Sequence, residues 1–159
     1  MFDPSREEVR KFFMETWQGQ RSGRLLSPLE ALAAEVIQHH PEFHPLLEST
    51  SEETLERTWG PEDGGMNPFL HLSLHLALEE QLGIDHPPGI SAIFQRLCQT
   101  TRDEHEARHR LLDCLGQILW ESQRQGTPPD QARYRQLLQA TLSFHQDTSD
   151  RHSIRPPLA

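Results

Sequence analysis

The sequence predicts an all-α protein: a single-domain bundle of about five to six helices over residues 1–144, with a flexible tail at 145–159. Three observations lead there. Apolar residues recur at helical spacing, Pro, Gly and capping residues punctuate the periodic segments, and no run alternates with period two over strand length.

Each element follows from local chemistry. Asp3-Pro4 places a capping residue before a proline in the first turn, and Val9, Phe12, Phe13, Thr16 and Trp17 form the first apolar face, closed by Gly19 and Gly23. Ser27-Pro28-Leu29-Glu30 is a capping box. The second face, Leu29, Leu32, Ala33, Val36 and Ile37, ends at Pro41. Residues 42–66 are acidic and offer only Leu55 and Trp59 for burial, so they read as a loop with one short helix. Asn67-Pro68 opens a third helix to about Gly83, and Asp85-His86-Pro87-Pro88-Gly89 is a turn. Ile90, Ile93, Phe94 and Leu97 carry a short fourth helix. Thr101-Arg102-Asp103-Glu104 reads as a capping box for a long fifth helix to about Gly126. Thr127-Pro128-Pro129-Asp130 caps the sixth, carried by Tyr134, Leu137, Leu138 and Leu142.

The 159 residues carry a net charge of -9, and the imbalance is one-sided. Residues 1–80 hold 15 acids against 6 bases, and residues 81–159 hold 9 of each. No face can be strongly basic, which argues against nucleic-acid binding. No segment is long and apolar enough to span a bilayer, so no membrane association is expected. No apolar stretch follows Met1-Phe2-Asp3-Pro4, which leads to the expectation of a cytoplasmic protein. Cys98 and Cys114 form no C-x-x-C and read as buried, reduced thiols.

Two stretches point to chemistry: His71-x3-His75-x3-Glu79 on the third predicted helix and His105-x3-His109-x3-Asp113 on the fifth. Side chains four apart share a helix face, so each stretch aligns two imidazoles and a carboxylate. These groups ligate Fe, Zn, Mn or Ni. Ten His in 159 residues give roughly 0.6 pairs at i,i+4 by chance. The chain has pairs at 40/44, 71/75 and 105/109, of which the first spans Pro41 and is not a helical pair.

On a helical wheel the first column lies on a Leu-rich, buried face, with Leu78 and Leu82 beside His71. Partnerless polar groups there would cost about 1–3 kcal/mol each, and a metal would satisfy them together. The second column lies at the border of its apolar arc. A column of this kind is about 12 Å long, too long for one ion. Parallel helices would bring the four imidazoles into one cage, and antiparallel helices would favour two metals. His40 falls on the apolar face of the second helix as an additional candidate, although a histidine there often serves the last carbonyls. His39, His44, His86, His145 and His152 read as loop or surface residues, and Trp17, Trp59 and Trp120 as core or loop anchors. H-E-x-x-H, a nucleophile triad and a glycine-rich phosphate loop are all absent.

The run from Asn67 to Gln81, followed by Pro87-Pro88-Gly89-Ile90, resembles an uncharacterised bacterial family, domain of unknown function 1841. The opening Met1-Phe2-Asp3-Pro4-Ser5-Arg6 and the stretch His109 to Trp120 resemble it too, so the likeness covers roughly residues 1–140. It implies a bacterial, cytoplasmic protein and no particular activity. Hemerythrin-like and DinB-like metal bundles are similar in general architecture, but their ligand order differs and no residue roles transfer.

The expected function is binding of one or two transition-metal ions between the third and fifth helices, with water or dioxygen as the molecule activated. The expected ligands are His71, His75, His105 and His109, with Glu79 and Asp113 as acidic ligands or their supports. The second reading is a metal-free scaffold whose acidic loop 42–63 docks a protein partner. The third is a metal-dependent hydrolase or transferase.

Overall fold

Eight α-helices and one short 3-10 helix occur among the described residues of the computed structural model, which are 6–49, 52–57 and 67–152, without the side chains of residues 56 and 144–152. The α-helices are α1 (Arg6–Ser22), α2 (Pro28–Gln38), α3 (His44–Glu48), α4 (Glu52–Glu56), α5 (Pro68–Ile84), α6 (Ile90–Thr101), α7 (Glu104–Gln125) and α8 (Gln131–His152). No strand occurs among the described residues, and the all-α class stands. The expected count of five to six is too low, because the region read as a loop contains a 3-10 helix (Pro41–Phe43), α3 and α4. The third, fourth, fifth and sixth predicted helices are α5, α6, α7 and α8. Helix α8 continues to His152, so residues 145–152 of the expected tail have helical backbone. The Asp3-Pro4 cap, Trp59 and residues 153–159 lie outside the described residues.

The chain divides into two compact units, residues 1–76 and 77–159. In the first, α1 packs against α2, α3 and α4. Its core joins Phe13 and Trp17 of α1, Ala33, Val36 and Ile37 of α2, Leu47 of α3, and Phe69, Leu72 and Leu76 of α5. In the second unit α6, α7 and α8 pack against one another. Ile90, Leu97, Leu111 and Leu138 are fully buried there. The Tyr134 hydroxyl donates to Gln81 Oε1 at 2.7 Å, and burial pushes its pKa upward.

The local signals position these helices. Ser27 forms the complete capping box: its hydroxyl accepts from Glu30 N at 3.2 Å, and the Glu30 carboxylate accepts from Ser27 N at 3.1 Å. Arg24 and then Ser27 hold the Glu30 carboxyl down at about 2. Ser27→Ala should destabilise the protein by about 1 kcal/mol in urea unfolding. Asn67 Oδ1 accepts from Phe69 N at 2.9 Å at the start of α5, and Asp130 Oδ1 accepts from Arg133 N at 3.0 Å at the start of α8. Gly126 ends α7 in the left-handed region, at φ 66, as glycine permits.

The start of α7 differs from expectation. Asp103, not Thr101, is its N-cap, accepting from His105 N and Glu106 N. Thr101 is the last residue of α6, and its hydroxyl donates to Leu97 O at 2.6 Å. Arg102 makes the turn between them at φ 56.

Asp85 organises the α5–α6 turn. Its carboxylate accepts from Ser91 N at 3.0 Å and Gly89 N at 3.3 Å. These two bonds hold its pKa below the usual carboxylate range. A depressed folded pKa contributes stability that is complete above the unfolded value and is lost as pH falls through the folded one. The stability gap between wild type and Asp85→Ala should therefore be constant at neutral pH and shrink on acidification below the ordinary carboxylate pKa. A gap that does not change with pH would rule out the charged cap.

Candidate metal centre

The candidate site lies in the first unit and is built from α2 and α5. His40 follows α2 and is 3% exposed, and His75, one turn beyond His71 on α5, is also 3% exposed. His71 is half-buried. One ring nitrogen from each of the three lies within 4.8 Å of the others. The rings meet edge to face, with centroids 5.1 Å apart for His40–His71, 4.5 Å for His40–His75 and 4.8 Å for His71–His75.

The hydrogen bonds of His40 assign its ring nitrogens. Its Nδ1–H donates to the Val36 carbonyl at 2.8 Å. A carbonyl cannot donate, so in the neutral ring the proton resides on Nδ1 and Nε2 presents its lone pair. His40 Nε2 lies 3.3 Å from His71 Nε2. The two functions weighed for His40 thus fall on opposite sides of one ring: Nδ1 serves the end of α2, and Nε2 enters the cluster. A backbone carbonyl on the far nitrogen is the usual support of a metal-bound imidazole, since it fixes orientation and strengthens the donor.

The distance fits as well. Two nitrogens on a tetrahedral ion at about 2.0–2.1 Å stand about 3.3–3.4 Å apart, which matches the His40–His71 separation of 3.3 Å. Phe43 borders the cluster, parallel to the His40 ring (1°, centroids 5.6 Å) and edge-on to His71 (5.9 Å).

The other sequence candidates lie in the second unit. His105 is exposed, His109 is half-buried, and their rings are neighbours with centroids 4.2 Å apart. Asp113 is exposed. The half-buried Glu79 accepts from Arg108 Nε at 2.6 Å, and Arg108 also reaches Glu104 at 3.4 Å and lies over Phe94 at 5.0 Å. Burial works against the Arg108 charge, but the Glu79 and Glu104 interactions outweigh it and raise its pKa.

Three further expectations resolve differently. His44, read as a loop or surface residue, is half-buried: its Nε2–H donates to Ile37 O at 2.9 Å and its ring stacks on Trp17 with centroids 4.2 Å apart. Trp17 is a core residue, but Trp120 is 53% exposed, with Arg124 stacked on it at 5.1 Å. Neither cysteine is in a disulfide. Cys114 is buried and Cys98 half-buried. Burial, then the Asp113 charge, pushes the Cys114 thiol up to about 11. Folded protein at pH 8 should therefore alkylate at Cys114 far more slowly than urea-unfolded protein, measured by mass shift after iodoacetamide.

Fold and site define an all-α protein with a three-imidazole cluster, two rings buried and one half-buried, at the end of α2. A family model described as a domain of unknown function, DUF1841, matches residues 5–140, and the chain belongs to that family. No curated protein and no solved structure matches the chain. No described helix is long and apolar enough to cross a membrane.

Proposed function

We propose that the protein binds a transition-metal ion through His40, His71 and His75. The observation that carries this reading is the His40 ring, with Nδ1–H on the Val36 carbonyl and Nε2 3.3 Å from His71 Nε2. Two buried histidines and a half-buried one, meeting at their ring nitrogens, offer a borderline donor set suited to Zn, Ni or Fe. Mn, a harder ion that favours carboxylate, fits this nitrogen set less well. Three imidazoles leave one position of a tetrahedral ion, which water or another side chain fills. On sequence pattern alone, the second column of His105, His109 and Asp113 is the candidate source of that side chain. With water there, a divalent ion on neutral donors would bring the water toward a neutral pKa, which supports hydrolytic chemistry as a second role.

The test is metal analysis of untagged protein with site variants. About one equivalent of metal is expected in wild type. It should be lost in His40→Ala, His71→Ala and His75→Ala and kept in His39→Ala and His86→Ala, whose parent side chains are exposed. Folded wild type that binds no Zn, Ni, Fe or Mn at micromolar concentration would end the proposal. Loss of metal in His109→Ala would add the second column to the ligand set.

A further inference from the structure

We infer that residues 41–49 and 52–57 form a strap whose order is set by metal occupancy of the histidine cluster. The inference rests on the metal reading above and adds a mode of regulation to it.

The strap is held mainly by polar and ring contacts, including the His44–Trp17 stack and the Arg21–Glu48 ion pair, and buries few side chains. It carries Glu42, Glu48, Glu52, Glu53 and Glu56 against a single base, Arg57. Of its described side chains only Leu47 and Thr54 are buried. Helices α3 and α4 have five residues each, too short to persist without tertiary anchors. A segment with few buried contacts belongs to the low-stability end of a fold and opens first.

Both ends of the strap are gripped beside the proposed ligands. At its start, Pro41 follows His40, Phe43 N–H donates to the His40 carbonyl at 3.0 Å, and the Phe43 ring lies parallel to the His40 ring and edge-on to His71. At its end, Arg10 donates to the carbonyls of Thr54 (3.2 Å), Leu55 (2.9 Å) and Arg57 (2.7 Å). The same guanidinium lies over the Phe69 ring at 5.2 Å, and Phe69 precedes His71 by two residues on α5. An ion on His40 Nε2 fixes the ring against which Phe43 packs, and an ion on His71 fixes the helix against which Arg10 packs. The strap thereby becomes ordered when metal binds and loosens when it leaves. Coupling of this kind is reciprocal, so weakening the strap weakens metal binding by up to the factor by which metal stabilises the strap.

The test is amide hydrogen exchange of the full chain with and without one equivalent of Zn2+, paired with zinc titrations. In wild type, exchange in 41–49 and 52–57 should slow about tenfold or more on zinc binding. Phe43→Leu and Arg10→Lys leave the histidines in place. Each should bind zinc about five- to tenfold more weakly and show faster strap exchange. Wild type that binds zinc stoichiometrically with strap exchange unchanged would overturn the coupling while leaving the metal site intact. Wild type that binds no zinc overturns the site and the coupling together. Variants that bind zinc as tightly as wild type, with strap exchange already faster, would also refute the coupling.

Discussion

Zinc should raise the melting temperature of the wild-type protein by roughly 10 °C when present at about a thousand times its dissociation constant. An ion that binds only the folded state adds about 4 kcal/mol at that excess, and each kcal/mol is worth about 2–4 °C in a chain of this size. The ligands come from the end of α2 and from α5, and the unfolded chain has no reason to bring them together. His40→Ala should abolish the shift, since it removes one donor and the contact with His71 Nε2. His39→Ala is the informative control. Its ring also donates Nδ1–H to a carbonyl of α2, that of Glu35 at 2.8 Å, but it is exposed. If both variants keep the full shift, zinc is bound elsewhere.

Arg10→Ala should cost about 3 kcal/mol of stability, the largest loss expected from a substitution outside the hydrophobic core. Arg10 is 1% exposed, and its guanidinium serves three carbonyls at the end of α4. Burial, and then the charge of Arg6, lowers its pKa. A cation at the C-terminus of a helix is favoured by the helix dipole, which helps to offset that burial. Alanine removes the donors, the charge and the packing on Phe69 together. Arg10→Met keeps the stem and should recover about 1 kcal/mol of the loss. Urea denaturation of both variants measures the difference. A loss below about 0.5 kcal/mol in Arg10→Ala would mean that the carbonyls are satisfied equally well by water.

Signals confined to a few consecutive residues were readable in the sequence. The Ser27–Glu30 capping box, Asn67-Pro68 and Asp130 each start a helix where they were expected to. Helices α3 and α4 were not readable, because five residues show no helical period and their anchors, Leu47 and the Arg10 carbonyl bonds, are tertiary. Thr101 and Asp103 are both good capping residues, and the left-handed turn at Arg102 gives the role to Asp103.

The candidate site was partly legible for the same reason. His71 and His75 announce themselves by spacing on one helix, and both belong to the cluster. His40 has no such partner in sequence, because Pro41 breaks the helix after it. Its position on the apolar face of α2 was the only signal, and that signal suited either of its nitrogens equally well. His44 was hidden because its partner, Trp17, lies on a different helix.

The stack of His44 on Trp17 gives the molecule an optical reporter. Trp17 is 8% exposed whereas Trp120 is 53% exposed, so a soluble quencher removes most of the Trp120 emission and leaves that of Trp17. With Trp59 replaced by Phe, the surviving signal comes from an indole whose neighbouring imidazole rides on the segment that follows His40. Detachment of that segment can therefore be followed by intrinsic fluorescence in real time, with no label attached.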